Sequence, residues 1–364
     1  MNIILYGAGF SGKKAINRIK DKYKEIRILG FADSSRIGEF ENVPIISLDE
    51  IEINIRKQIA IVITIATLKY VMEVCEELKK KGFDHIYYYL RKNYCMGTDF
   101  FKNECIRLDN IDKKTLPYVE MHLADCCNLN CRGCTHFSAI FEKKLPDFGK
   151  RIEAVRIISQ LFSNVLQISL LGGEPLLNPN LNEYVMEIRN IFPNTELQIV
   201  TNGLLLLSIS EEILKKIASN HVTVSISEYE PTHRMIARIC QRLENYGIDY
   251  SIRDYDKKNK FGMPLSLKAD SIYPHKCLSD GCTVIHDGKI ARCPTLMFID
   301  RFNEYFHTKL PNEGIYELTE VTDSAELLNS LNRPVPLCRH CISYEIEWER
   351  CGMNIEVSDF ALNE

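Results

Sequence analysis

The stretch Tyr118-Val-Glu-Met-His-Leu-Ala-Asp125-Cys126-Cys127-Asn-Leu-Asn-Cys131-Arg-Gly-Cys134 runs from an apolar segment straight into a cysteine loop. Residues 118–123 read as a buried strand, and the loop begins where that strand ends. Cys127, Cys131 and Cys134 are spaced C-x-x-x-C-x-x-C. Three thiolates on one short loop can hold three irons of a cubane and leave the fourth iron open, whereas a closed four-cysteine site only transfers electrons. Cys126 is out of register and reads as a neighbour. A zinc loop or buried thiols are the plainer alternatives. A structural zinc site wants paired C-x-x-C units, and this spacing does not supply two.

Outward from the loop, the next expected strand, 166–171, runs into Gly172-Gly173-Glu174-Pro175. Two glycines at a strand end let a ligand approach the backbone. Further strands are expected at 196–200, 222–227 and 248–252, and helices at 150–162, 181–191, 210–219 and 231–246. This strand–helix alternation predicts a parallel α/β partial (β/α) barrel over residues 116–256.

The two loops together resemble the radical S-adenosylmethionine (radical SAM) superfamily. Its members carry C-x-x-x-C-x-x-C after the first barrel strand and a Gly-Gly-Glu-Pro-like turn after the second. The resemblance implies a catalytic [4Fe–4S] cluster on Cys127, Cys131 and Cys134, with S-adenosylmethionine chelating the open iron through its methionyl amine and carboxylate. It implies that Gly172, Gly173 and Glu174 hold the methionyl amino group. Thr201-Asn202-Gly203, Ser225 and Ser227 match superfamily positions near the methionyl carboxylate and ribose; by themselves they read equally as strand ends satisfied by local hydrogen bonds. Many members place an aromatic residue before the third cysteine, against adenine. Here Gly133 stands there, and His136 and Phe137 are the substitutes in sequence. The resemblance further implies a flavodoxin- or ferredoxin-type electron donor and a site at the C-terminal mouth of the strands.

The segment 257–364 is irregular and cysteine-rich, with Cys277, Cys282, Cys293, Cys338, Cys341 and Cys351. Residues 283–286 and 289–292 flank Asp287-Gly288, a two-residue hairpin signal. That turn sets Cys282 opposite Cys293, close enough to share a cluster. The pattern Cys277, Gly288, Cys293, then Cys338-Arg-His-Cys341, resembles the auxiliary-cluster domains called twitch and SPASM. Glu347 stands where a SPASM cysteine is expected, so one auxiliary [4Fe–4S] cluster, twitch-like, fits better. The spacing is similar to the deoxy-scyllo-inosamine dehydrogenase type, which implies Cys277, Cys293, Cys338 and Cys341 as ligands. The hairpin argument adds Cys282, and the choice among the six stays open, with a zinc ribbon as the alternative. A spare thiol, Cys282 or Cys351, could donate hydrogen to a substrate radical in an epimerase.

Residues 1–112 open with an expected strand at 2–6, then Gly7-x-Gly9-x-x-Gly12 and a helix at 13–24. Strands are expected at 27–32, 59–65 and 85–89, with a helix at 69–81 ending at Gly82, and residues 91–115 read as a polar connector. Gly7, Gly9, Gly12 and the strand-end Asp33 fit a dinucleotide fingerprint on a Rossmann-like sheet. The segment Gly30-Phe31-Ala32-Asp33-Ser34, with Val43-Pro44-Ile45, is also similar to the Rossmann-like domain of sugar-nucleotide acyltransferases. A nucleotide or nucleotide sugar, a structural remnant and NAD are the three readings, in that order.

Composition bounds the rest. The chain has 364 residues, 45% hydrophobic and 26% charged, and a net charge of −4. That charge leaves no electrostatic footprint for nucleic acid. The apolar run 59–66 is too short to cross a membrane, and the N-terminus shows no leader, so the expectation is a cytoplasmic protein. Ten of the fourteen cysteines fall in 126–134 and 277–351, which in a reducing compartment points to metal rather than disulfides. The leading expectation is an enzyme abstracting hydrogen from a sugar, nucleotide sugar or aminocyclitol, by dehydrogenation or epimerisation. The alternatives are a radical maturase acting on a peptide or protein, and a non-catalytic Fe–S or nucleotide-binding protein. Candidate substrate contacts at strand ends are His122, Asp125, Glu228, Arg253 and Tyr255; Arg253, Cys282 and Cys351 are the candidate catalytic residues.

Overall fold

The computed structural model describes residues 1–253, 260–270, 277 and 279–362. Tyr255 and the expected boundary at 256/257 lie outside them. The chain parts into two compact units, Met1–Asp112 and Lys113–Glu364.

In the first unit the strands are β1 (Asn2–Tyr6), β2 (Arg27–Ala32), β3 (Ile59–Ile63) and β4 (His85–Tyr89), with helices α1 (Phe10–Lys22) and α2 (Leu68–Lys80). β1 lies between β2 and β3, all parallel, with Ile4 opposite Ile61. β3 is apolar throughout and completely buried, as a strand covered on both faces must be. Residues 91–115 are not a plain connector. They form a short helix, Phe100–Asn103, and an edge strand, β5 (Cys105–Arg107), antiparallel to β4. Buried Glu104 explains this: its carboxylate accepts from Arg18 Nε at 2.6 Å and Tyr23 Oη at 2.8 Å, pinning the segment to α1.

The second unit is built on an eight-stranded sheet. Its parallel part is β6 (Thr115–Ala124), β7 (Asn164–Gly172), β8 (Glu196–Thr201), β9 (Thr223–Ser227) and β10 (Tyr250–Arg253), adjacent in that order. Helices α3 (Phe148–Leu161), α4 (Leu181–Ile191) and α5 (Glu211–Ser219) connect them. The helix expected over 231–246 is broken into Glu230–His233 and α6 (Ile236–Asn245). Beyond β6 the sheet continues with the cysteine-flanked hairpin. β12 (Val284–His286) runs parallel to β6, and β13 (Lys289–Ala291) and β14 (Ile315–Glu317) follow antiparallel. A separate three-stranded sheet joins β11 (Lys260–Ser266) to β15 (Cys341–Glu347) and β16 (Ala361–Leu362). The molecule is thus mixed α/β with parallel sheets, and no helix among the described residues is long and apolar enough to cross a membrane.

Candidate metal centre and its surroundings

The C-terminal end of β6 delivers Asp125 and the cysteine loop, and that loop rests on the end of β7. Gly173 N donates to Ala124 O at 2.8 Å and Glu174 N to Cys126 O at 3.1 Å. A Cβ on Gly172 would stand 2.1 Å from Ala124 O, and one on Gly173 would stand 2.1 Å from Cys126 O. The room that the sequence reserves at these glycines is therefore filled by the cysteine loop's own backbone. The other side of the loop is stitched to the C-terminal tail. Cys351 N donates to Asn130 O at 2.8 Å, Arg132 N to Glu349 O at 3.0 Å and Gly133 N to Asp359 O at 2.7 Å. Gly133 has φ +71°, and a Cβ there would meet Gly262 O at 3.0 Å and the Phe261 ring at 3.2 Å. Only glycine fits that position.

Around the thiols the donors point at sulfur. Leu129 N–H reaches Cys127 Sγ at 3.3 Å, Trp348 Nε1–H reaches Cys131 Sγ at 3.1 Å, and Asn202 Nδ2 lies 3.7 Å from Cys127 Sγ. Burial pushes the Cys127 thiol up to about 11 and Cys131 higher still, and each of these two also feels the charge of Cys134. Thiols that resist ionising next to one another need a cation among them to become thiolates. With Cys134 the loop offers three sulfurs, two of them already receiving hydrogen bonds, a set that fits an iron–sulfur cubane with one iron left open. Tyr229 packs 5.3 Å from Trp348 and 6.2 Å from Phe261, an aromatic wall beside these sulfurs. Phe137, expected to substitute for the missing aromatic, is instead fully buried against Phe302 and Phe360. His136 is bonded elsewhere, as described below.

Glu174 is fully buried. It accepts from Thr201 Oγ1 at 2.7 Å, Asn202 N at 2.9 Å and Leu176 N at 3.1 Å. Burial pushes its carboxyl up to about 7 against these donors. It holds the β8 end loop, and Asn202 in turn reaches Asn128 Oδ1 at 2.8 Å. Ser225 accepts from Ser251 Oγ at 3.2 Å. Arg253 is exposed and pairs across the sheet with Ser227. Glu228 bonds His233 Nδ1 at 2.6 Å.

A buried polar chain crosses the interior beside the loop. His136 Nδ1 and His122 Nε2 are 2.7 Å apart, and His122 Nδ1 and His286 Nε2 each lie 3.0 Å from Asp125 Oδ1. Burial lowers His122 to about 4 and His136 well below its usual value. Burial alone would raise Asp125, but the two histidine bonds hold it far below the carboxylate range. Neutral His122 and His136 with an ionised Asp125 assign the protons: His122 Nδ1–H and His286 Nε2–H donate to Asp125, and His136 donates to His122. His136 Nε2 then faces Glu120 Oε2 at 3.9 Å. Burial pushes Glu120 up to about 8, so it carries the proton on that side. His122, Asp125 and His286 could also hold a metal by distance, but hydrogen bonds already occupy both ring nitrogens of His122 and give Asp125 Oδ1 two donors. His286, Glu120 and Arg151 escaped the sequence reading; only the hairpin signal beside Asp287 pointed near them.

The hairpin register is the expected one, with Ile285 opposite Ile290 and His286 opposite Lys289. Cys277, Cys293, Cys338 and Cys341 form one electrostatically coupled group around Arg292, and Arg292 Nη1 donates to Cys338 Sγ at 3.0 Å. Cys282 feels Cys277 and Cys293 but hydrogen-bonds Glu120. Cys351 leaves this field altogether; it couples to Cys131 and Cys134 of the first loop.

In the first unit Gly7 has φ +113°, and a Cβ on Gly12 would stand 2.3 Å from Gly7 O. Gly9 has open space around it. Asp33 Oδ2 accepts from Ala8 N at 2.8 Å, and Oδ1 from Ser35 N at 2.9 Å and Arg36 N at 3.1 Å. Burial would raise this carboxyl, yet the donors from Ser35 and Ala8 hold it below its ordinary value. Asp33 thus ties the glycine turn to the end of β2.

The family model described as Radical SAM superfamily matches residues 121–250. GTP 3′,8-cyclase of Syntrophomonas wolfei is 30% identical over 128 residues, covering 33% of this chain and 36% of that protein. GTP 3′,8-cyclase of Microcystis aeruginosa is 29% identical over 119 residues, 32% of this chain and 36% of that protein. The chain thus spans about a third of the length of these curated relatives. Among solved structures, BtrN in an open conformation aligns with a TM-score of 0.35 at 16% identity, covering 63% of this chain and 84% of that one. Native anSMEcpe with bound AdoMet and a Cp18Cys peptide aligns with a TM-score of 0.30 at 19% identity, over 37% of this chain and 42% of that one.

Proposed function

We propose, from the radical SAM domain in residues 121–250, that this protein cleaves S-adenosylmethionine to abstract hydrogen from a polar small molecule. The proposed substrate is a sugar, nucleotide sugar or aminocyclitol, dehydrogenated or epimerised. The observation that carries the reading is the cysteine loop itself, with three thiols held between the β7 glycines and the C-terminal tail. A [4Fe–4S] cluster held by Cys127, Cys131 and Cys134 would leave one iron open to S-adenosylmethionine and would supply the electron for its reductive cleavage.

The chain's own residues do the rest. Cys127, Cys131 and Cys134 ligate, and Trp348, Leu129 and Asn202 donate toward their sulfurs. Tyr229, Phe261 and Trp348 keep water from the loop. Gly172, Gly173 and Glu174 seat the loop and the Asn202 turn. Cys277, Cys293, Cys338 and Cys341 are the proposed ligands of an auxiliary cluster, which in a dehydrogenase would supply an acceptor for the second electron leaving the substrate. Cys282 and Cys351 stay free as hydrogen donors for an epimerase. Residues 1–112 bind a nucleotide or nucleotide sugar through Gly7, Gly9 and Gly12.

Anaerobic reconstitution with iron counting, then incubation with S-adenosylmethionine and a reductant, tests the reading. Deoxyadenosine and about seven to eight irons per chain are expected. Fewer than about four irons, or no deoxyadenosine, overturns it. Thermal shifts with nucleotide sugars but not with peptides are expected; the reverse overturns the substrate class.

A further inference from the structure

Arg151, in the first turn of α3, is 1% exposed, yet none of its three guanidinium nitrogens has a hydrogen-bond partner among the described residues. Its neighbours are Asp125 Oδ2 at 3.5 Å and Asp287 Oδ1 at 3.6 Å, within ion-pair range but outside hydrogen-bond range. An arginine kept only for structure closes onto its carboxylates at about 2.7–2.9 Å, often bidentately. Here the fork is buried and left open, an arrangement that burial makes unfavourable unless something completes it. Tyr184 is a second buried polar group in this region. Its hydroxyl is fully buried, has no partner among the described residues, and feels the charges of Arg151, Asp125 and Asp287.

Arg151 lines a cavity of about 420 Å³ between the chain that follows the cysteine loop and the β12–β13 turn. Lys144, Lys150 and Arg301 line it too, and so do the carboxylates of Glu142, Asp147, Asp125 and Asp287. Asp125, on its wall, lies two residues before Cys127.

We propose that this cavity binds an oxyanion, a carboxylate or a phosphate monoester, through the Arg151 fork. A planar pair of oxygens takes the two open N–H rows. Asp125 and Asp287 neutralise the guanidinium until the anion arrives. Placed beside the cysteine loop, the site anchors the charged end of the substrate. It rests on the proposed function only for the molecule that carries the anion.

The test is calorimetric titration of the reconstituted full-length protein with inorganic phosphate and, separately, with acetate, without S-adenosylmethionine or reductant. Saturable binding of at least one is expected. Arg151→Lys, which keeps the charge and loses the fork, should weaken it about tenfold. Asp287→Asn, in the exposed hairpin turn, should tighten it about threefold by removing a competing carboxylate. Tighter phosphate binding assigns a phosphate ester, and tighter acetate binding a carboxylate. No saturable binding of either anion, or affinities unchanged in both variants, overturns the site. Deoxyadenosine formation is read separately, so failure of the anion site and failure of the radical reading are distinct.

Discussion

Glu120 sits where β6 faces the hairpin, with Tyr118 Oη at 3.0 Å and its other oxygen toward His136. Burial lifts its folded value to about 8, above the ordinary glutamate value. The folded protein therefore binds more protons than the unfolded chain between those values, and stability falls as pH rises through that window. Glu120→Gln should flatten the decline, measured as denaturant midpoints from about pH 5 to pH 8; an unchanged slope refutes the assignment. Trp348→Phe removes the donor to Cys131 Sγ. The reconstituted first cluster should shift to a more negative midpoint potential in an EPR-monitored titration. Neither residue was legible in the sequence. Cys127, Cys131 and Cys134 were, because ligation constrains spacing within one loop. Trp348 meets Cys131 across 217 positions, and no local pattern records such a contact.

At the level of elements, the strand–helix alternation was legible because each buried strand is a short apolar run with a turn after it. The edge strand Cys105–Arg107 and the sheet of Lys260–Ser266 with Cys341–Glu347 were not, since short or polar strands acquire their structure from partners. The glycines were found, and packing supplies one reason for them: the cysteine loop's backbone closes against Gly173 where a Cβ would stand. Gly173→Ala should push the loop off β7, lowering stability by about 1–3 kcal/mol and bound iron along with it. Iron retained at the wild-type count would contradict this. In the second cysteine field, Ala at Cys293 or Cys341 should cost about four irons per chain. Cys282→Ala should cost none, because its thiol is turned to Glu120. Iron lost from the Cys282 variant would return that residue to the ligand set.

At the scale of the molecule, every proposed iron ligand lies in Lys113–Glu364 and none in Met1–Asp112. A fragment beginning at Lys113 should therefore keep its iron and its deoxyadenosine formation, assayed as for the full chain. Loss of both would make the first unit part of the radical machinery. Within the second unit, the tail contacts of Asn130, Arg132 and Gly133 impose an order in time. The ribosome delivers the first cysteines more than two hundred residues before it delivers Glu349 and Asp359. At ordinary synthesis rates that interval is on the order of 10–40 s. Through it the nascent loop lacks one of its two walls, and its thiols stand open to stray metals and oxidants. On the proposed function, loading of the first loop waits for the tail contacts, and a stop codon after residue 347, which spares every proposed iron ligand, should lower the iron bound at the first loop.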